Sequence, residues 1–212
     1  MKELCYTLLS DGSSDKALMF LLSWLLQQHL IESAIQPQWA DIGRLPNPPK
    51  TLSGKIKSTL DLAPCNLLFV HRDAEKETRE KRVAEIRAAI DEAVKSVQVP
   101  PAVCVVPVHM TEAWLLFNEI ALRTAADNPR GRQPLQLPPI TKLEELPDPK
   151  NVLYDLLRQA SGLGTNKLKR FRVNDRVHRL AEGIDDFSPL RALPAFQALE
   201  VEIKQVIQEQ SW

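Results

Sequence analysis

Three short stretches carry acids whose types and spacing could do chemistry together. In "LLSDGSSDKALMF", residues 8–20, Asp11 and Asp15 flank a Gly-Ser-Ser turn between two apolar runs. In "HRDAE", residues 71–75, His71 is followed by Asp73 and Glu75. In "HMTEAWL", residues 109–115, His109 is followed by Glu112. Carboxylate oxygens are the hard ligands that Mg2+ and Mn2+ prefer. Acids gathered at one place repel one another, and a shared divalent cation is the simplest remedy. Two such cations can clamp a phosphodiester for in-line attack.

The elements around these stretches decide whether the acids meet. "ELCYTLL", "NLLFVHRD" and "PAVCVVPVHM" read as short buried strands, with "PQWADI" as a further candidate. Pro107 points to an edge or a strand end. "SDKALMFLLSWLLQQHLIESA" reads as a well-buried helix, "TLSGKIKSTLDLA" as a short one, and "TEAWLLFNEIALRTAA" as another. "AEKETREKRVAEIRAAIDEAVKSV" is a charged amphipathic helix with Val83, Ile86, Ile90 and Val94 on one stripe. Strand and helix alternate four times. That rhythm predicts an α/β fold, a Rossmann-like three-layer sandwich with a mainly parallel sheet. Residues 1–126 form the expected core and 127–149 a Pro-rich connecting loop. Residues 150–212 form a helical annex packed on the core. Ligand sites of open parallel sheets lie beyond the carboxyl ends of the strands, and three strand ends deliver acids to that edge.

Each acid also has an ordinary local role. Asp15 or a neighbouring serine can cap the first helix. Asp73, Glu75 and Glu112 can load negative charge onto helix N-termini. His71 and His109 could shuttle protons or bind metal, but packing and local hydrogen bonding are the simpler roles for a histidine without an identified partner. The recurrence of acids at successive strand ends favours the shared site.

The same residues resemble a known family. Asp-Gly-x-x-Asp after the first strand, Asp-x-Glu after a central strand and Glu-Ala-Trp-Leu after the next are similar to the Toprim fold. They resemble most the Toprim domain of the overcoming-lysogenization-defect (OLD) nucleases and the small stand-alone Toprim-like proteins. The likeness spans most of the chain, including "PDPKNVLYDLL". Asp11 stands where the family has Glu, and Glu75 where it has Asp. Of the hydroxyl residue two before a Glu, only Glu112 matches, since Met110 takes the hydroxyl position and Thr111 lies between. The resemblance implies phosphodiester cleavage with Mg2+ or Mn2+ held by Asp11, Asp15, Asp73, Glu75 and Glu112. It assigns Asp11, Asp73, Glu112 and a late lysine, Lys167 or Lys169, to catalysis. It implies DNA or RNA as substrate and a separate ABC-type ATPase as partner in a phage-defence role. Alternatives are a non-catalytic module that binds nucleic acid or an ATPase, and a metal-dependent phosphatase acting on a small molecule.

Composition limits these readings. The chain of 212 residues has a formal net charge of zero, so no overall basic excess advertises nucleic acid. "KLKRFRVNDRVHR" is the most basic stretch, and Lys167, Lys169, Arg170 and Arg172 are its candidate nucleic-acid contacts. Cys5, Cys65 and Cys104 are odd in number and widely spaced, reading as small buried hydrophobes in a reducing, cytoplasmic setting. No membrane span or signal peptide is expected. "HRD" is not a kinase loop, because Thr78 stands where Asn is needed. "GLGTNK" lacks the Gly-Lys-Ser/Thr end of a phosphate-binding P-loop. No tyrosine is placed to act as a strand-passage nucleophile, so hydrolysis is the expected chemistry.

Overall fold

The computed structural model describes residues 2–212. Four parallel strands form one sheet: β1 (Lys2–Leu9), β2 (Ser33–Trp39), β3 (Leu67–His71) and β4 (Ala102–Val105). Their order is β2-β1-β3-β4. The chain winds outward from β1 to one edge, then crosses to β3 and winds to the other. The β1/β3 pair is therefore the switch point where open α/β sheets leave a crevice.

Side chains alternate across β3 with the two-residue period of a strand. Leu67 and Phe69 enter the core on one face, while Leu68 and Val70 enter the core on the other. The second face is covered by α2 (Leu52–Leu62) and α3 (Arg79–Val94), through Ile56, Ile86 and Ala93. The first is covered by α1 (Leu18–His29), with Leu18, Leu21, Leu22, Leu25 and Leu26 buried. The helices after residue 126 complete that face. They are α5 (Pro149–Ser161), α7 (Asn174–Glu182) and α8 (Pro194–Glu209), while the single turn α6 (Thr165–Leu168) between α5 and α7 buries no residue. Leu153, Leu157, Leu180, Phe196 and Leu199 share a cluster with Tyr6, Phe69 and Val105 of the sheet. The three-layer α/β expectation is met.

Several local expectations are corrected. "TEAWLLFNEIALRTAA" is not one helix. A 3-10 turn, Thr111–Leu115, stops before Asn118, whose side chain accepts from Ala121 N–H and starts α4 (Glu119–Ala125). The second strand begins six residues before Trp39 and ends there, so Asp41 and Ile42 lie outside it. The charged helix starts only at Arg79, because the Thr78 side chain accepts from Lys81 N–H and caps it. Val94 leaves the buried stripe, 56% exposed, and the buried residues of α3 are Ile86 and Ala93. Of the cysteines, all free, only Cys104 is fully buried.

Both sheet edges are protected. Glu202 of α8 accepts from Cys104 N–H at 2.9 Å, and Arg87 of α3 donates to Ala102 O at 3.1 Å. These two side chains also pair with each other, satisfying backbone groups that β4 would otherwise offer to a further strand. On the other edge Pro37 interrupts β2, where a missing N–H is tolerated.

Candidate metal centre

The carboxyl ends of β1 and β3 lie side by side, with Leu9 in register with Val70. His71 closes β3 and is only 2% exposed. Beyond it the chain stays bonded to the extension of β4: Arg72 N–H to Val105 O, Ala74 N–H to Pro107 O and Glu75 N–H to His109 O, at 3.0–3.1 Å. This ladder brings Asp73 against the turn that begins at Thr111. From the β1 side the 3-10 turn Ser13–Ala17 delivers Asp15. Asp15 Oδ2 accepts from Gly12 N–H at 3.1 Å, which fixes the loop.

Asp15, His71 and Asp73 thereby converge, each offering a ligand atom within 4.8 Å of the others. His71 Nε2 lies 3.2 Å from Asp73 Oδ1 and 3.1 Å from the Thr111 hydroxyl. Thr111 N–H donates to the same Asp73 oxygen at 3.0 Å. With Nε2–H shared between Asp73 and Thr111, His71 Nδ1 is left as a buried atom without a hydrogen-bond partner. It points toward Asp15 Oδ2 at 3.6 Å.

The charges in this group are poorly balanced. Burial, and then repulsion from Asp73, lift the Asp15 carboxyl above its usual range, against the opposing pull of His71. Burial works against charge on His71, yet Asp73, Asp15 and Asp11 outweigh it and raise its pKa. The cluster attracts positive charge, and an unpartnered imidazole nitrogen facing a desolvated carboxylate is a suitable pair of donors for a cation. Two carboxylates and an imidazole fit Mn2+ better than Mg2+, which prefers an all-oxygen octahedron.

Other expected residues are placed differently. Asp11, 49% exposed on its side chain, pairs with Lys55 of α2 at 2.6 Å and Arg72 at 3.6 Å. The Glu75 side chain, 67% exposed, reaches Arg82 at 3.5 Å. Both acids thus already face cations of the chain. Glu75 and His109 have left-handed backbones, with φ of 54° and 61°, and His109 Nδ1 lies 3.1 Å from Glu75 O. Glu112 is buried, and Lys150 Nζ reaches its Oε1 at 3.3 Å. Lys167, Lys169, Arg170 and Arg172 are exposed beyond the C-terminal end of α5, in and beside α6.

Two further residues border the cluster, Lys150 and Thr111, and neither belongs to the expected set. Lys150 is the lysine that meets the acid group. Burial works against its charge, but Glu112, Tyr154 and Asp15 raise its pKa above the ordinary lysine value. The Asp148-Pro149 pair signals the start of α5, but nothing local signals that Lys150 meets Glu112. Thr111, one residue after Met110, brings a hydroxyl against His71 Nε2 and Asp73 Oδ1.

No protein-family model, curated protein or solved structure matches the chain.

Proposed function

We propose that the protein is a divalent-cation-dependent phosphodiesterase acting on DNA or RNA, a nuclease of Toprim type. The observation that carries this reading is the convergence of Asp15, His71 and Asp73 at the β1/β3 switch point, with Nδ1 of His71 buried and unpartnered. Asp15, Asp73 and His71 would hold Mn2+ or Mg2+. Such a cation supplies Lewis-acid polarisation of a phosphoryl oxygen and a water of lowered pKa. Thr111 orients Asp73 and His71 through its N–H and hydroxyl, so the donor atoms are set before any ligand arrives. Lys150 stands beside Glu112, positioned to offset negative charge on a phosphate. The resemblance adds a separate ABC-type ATPase subunit to the same proposal.

A second reading, a nucleic-acid-binding module without cleavage, is favoured by the pairing of Asp11 and Glu75 with Lys55, Arg72 and Arg82. The two separate in one experiment. Purified protein is incubated with supercoiled plasmid and with RNA in Mn2+, Mg2+ or EDTA, beside Asp73→Ala. The proposal expects cleavage that requires the cation, runs faster with Mn2+ and is lost in the variant. Equal traces from both proteins would sink it.

A further inference from the structure

Helix α5 joins two features at its opposite ends. Its first turn holds Lys150, 3.3 Å from Glu112. Its last turn is capped by Gly162 in a left-handed conformation that suits glycine, φ 63°. Beyond that cap the chain reads "LGTNKLKRFR", and no acid occurs from residue 156 to 174. A second acid-free segment, residues 128–143, is tied to the same helix end. Asn128 Nδ2 donates to Ala160 O at 2.8 Å, and Gln133 Nε2 donates to Gln159 O and Ala160 O at 2.7 and 2.9 Å. Arg130, Arg132, Lys167, Lys169, Arg170 and Arg172 are therefore carried by two adjoining segments. All are exposed, and none has an ion-pair partner among the described residues. The nearby Arg158, Arg176 and Arg179 are paired, with Asp155 or Asp127.

A chain of zero net charge that leaves so many neighbouring cations uncompensated has a strongly positive local surface. We infer that this surface holds the phosphodiester backbone of a nucleic acid at a distance from the acid cluster, so that the substrate is a polymer and not a small phosphate ester. The inference rests on the phosphodiesterase reading for the cluster itself. The length of α5 sets the span. Thirteen residues at about 1.5 Å each make about 20 Å, roughly six phosphates along one strand of a duplex. A nucleotide at the cluster cannot touch the patch, whereas an oligomer of ten or more residues can occupy both. The contacts are to phosphate, so binding is independent of base sequence and falls steeply with salt.

The test is binding, read without turnover, by fluorescence anisotropy in EDTA. The probes are a labelled 20-bp duplex, a 20-nucleotide single strand and a labelled trinucleotide, from 50 to 200 mM salt. The protein is compared with a variant carrying Arg130→Gln, Arg132→Gln, Lys167→Gln, Lys169→Gln, Arg170→Gln and Arg172→Gln, with circular dichroism verifying its fold. The 20-mers should lose at least tenfold in affinity, and the slope of log K against log salt should shrink by about 3 to 5. The trinucleotide should bind both proteins alike. Equal slopes for the two proteins would overturn the inference. So would binding of phosphatidylserine vesicles through these residues without oligonucleotide binding. Hydrolysis of bis(p-nitrophenyl) phosphate by the unaltered protein tests the phosphodiesterase reading separately. Polymer binding without that hydrolysis defeats the reading and leaves these residues as a nucleic-acid contact alone, while hydrolysis without polymer binding leaves the reading and overturns the inference.

Discussion

Thr111 donates to Asp73 twice, through its backbone N–H at 3.0 Å and its hydroxyl at 3.4 Å, and both bonds end on Oδ1. The same oxygen faces His71 Nε2. The start of the turn after β4 is thus the clamp on the acid after β3. Thr111→Val keeps the N–H bond and removes the hydroxyl from a buried site. It should cost about 1–2 kcal/mol of stability and weaken Mn2+ binding roughly 10- to 100-fold. Thr111→Ser should restore most of both. Calorimetric titration with Mn2+ and urea unfolding check this, and an unchanged Mn2+ affinity in Thr111→Val would refute the clamp.

Cation binding should stabilise the fold through Asp15 and Asp73. At a concentration a hundred times its Kd, Mn2+ adds about 2.7 kcal/mol, or about 5–10 °C in Tm for a chain of this size. Asp73→Asn and Asp15→Asn should each abolish that shift. Differential scanning fluorimetry with and without Mn2+ gives the answer.

Lys150→Ala should separate cleavage from cation binding. Removing it leaves Glu112 buried without its partner and takes positive charge from the acid group. We expect a loss of about a hundredfold in turnover with Mn2+ affinity within about threefold of the parent. Lys150→Arg should recover part of the rate. A parallel loss of Mn2+ binding in Lys150→Ala would place the lysine in metal retention instead.

Glu75→Gly addresses strain. Glu75 holds φ at 54°, a region costly for residues with a Cβ, and its carboxylate makes only an exposed contact with Arg82. The substitution should raise stability by about 0.5–1 kcal/mol and leave Mn2+ affinity unchanged. A lost Mn2+ affinity would return Glu75 to the ligand set.

Glu200 should govern stability in acid. It accepts from Arg191 at 2.8 and 2.9 Å and lies 2.9 Å from His29 Nε2. The Arg191 hydrogen bonds, helped by His29 and opposed by burial, hold its carboxyl down to about 2. A lowered folded-state pKa stabilises above the unfolded value, near 4.5, and that stability drains away as pH falls toward 2. Glu200→Gln should therefore cost on the order of 2 kcal/mol at pH 7. Its stability should converge on that of the parent between pH 4.5 and 2. Urea unfolding across that range checks the sign.

The sequence by itself determined the layers. Four apolar runs alternating with amphipathic segments leave few ways to bury both faces other than a parallel sheet between helices. It also placed Asp15, Asp73 and Glu112 beyond the carboxyl ends of β1, β3 and β4, because each apolar run stops before its acid. The tertiary structure decided which acids meet. Asp11 and Asp15 are four residues apart, and the 3-10 turn sends one toward Lys55 and the other toward His71. His71 was readable only as a histidine at a strand end. Its unpartnered Nδ1 arises because Asp73 and Thr111 occupy Nε2 from two different loops. Lys150 lies 38 positions after Glu112, and packing of α5 beside the Thr111–Leu115 turn brings them together. Strand ends are local properties written in hydrophobic periodicity. The side-chain pairings depend on register and loop conformation, which the chain acquires only when its layers close.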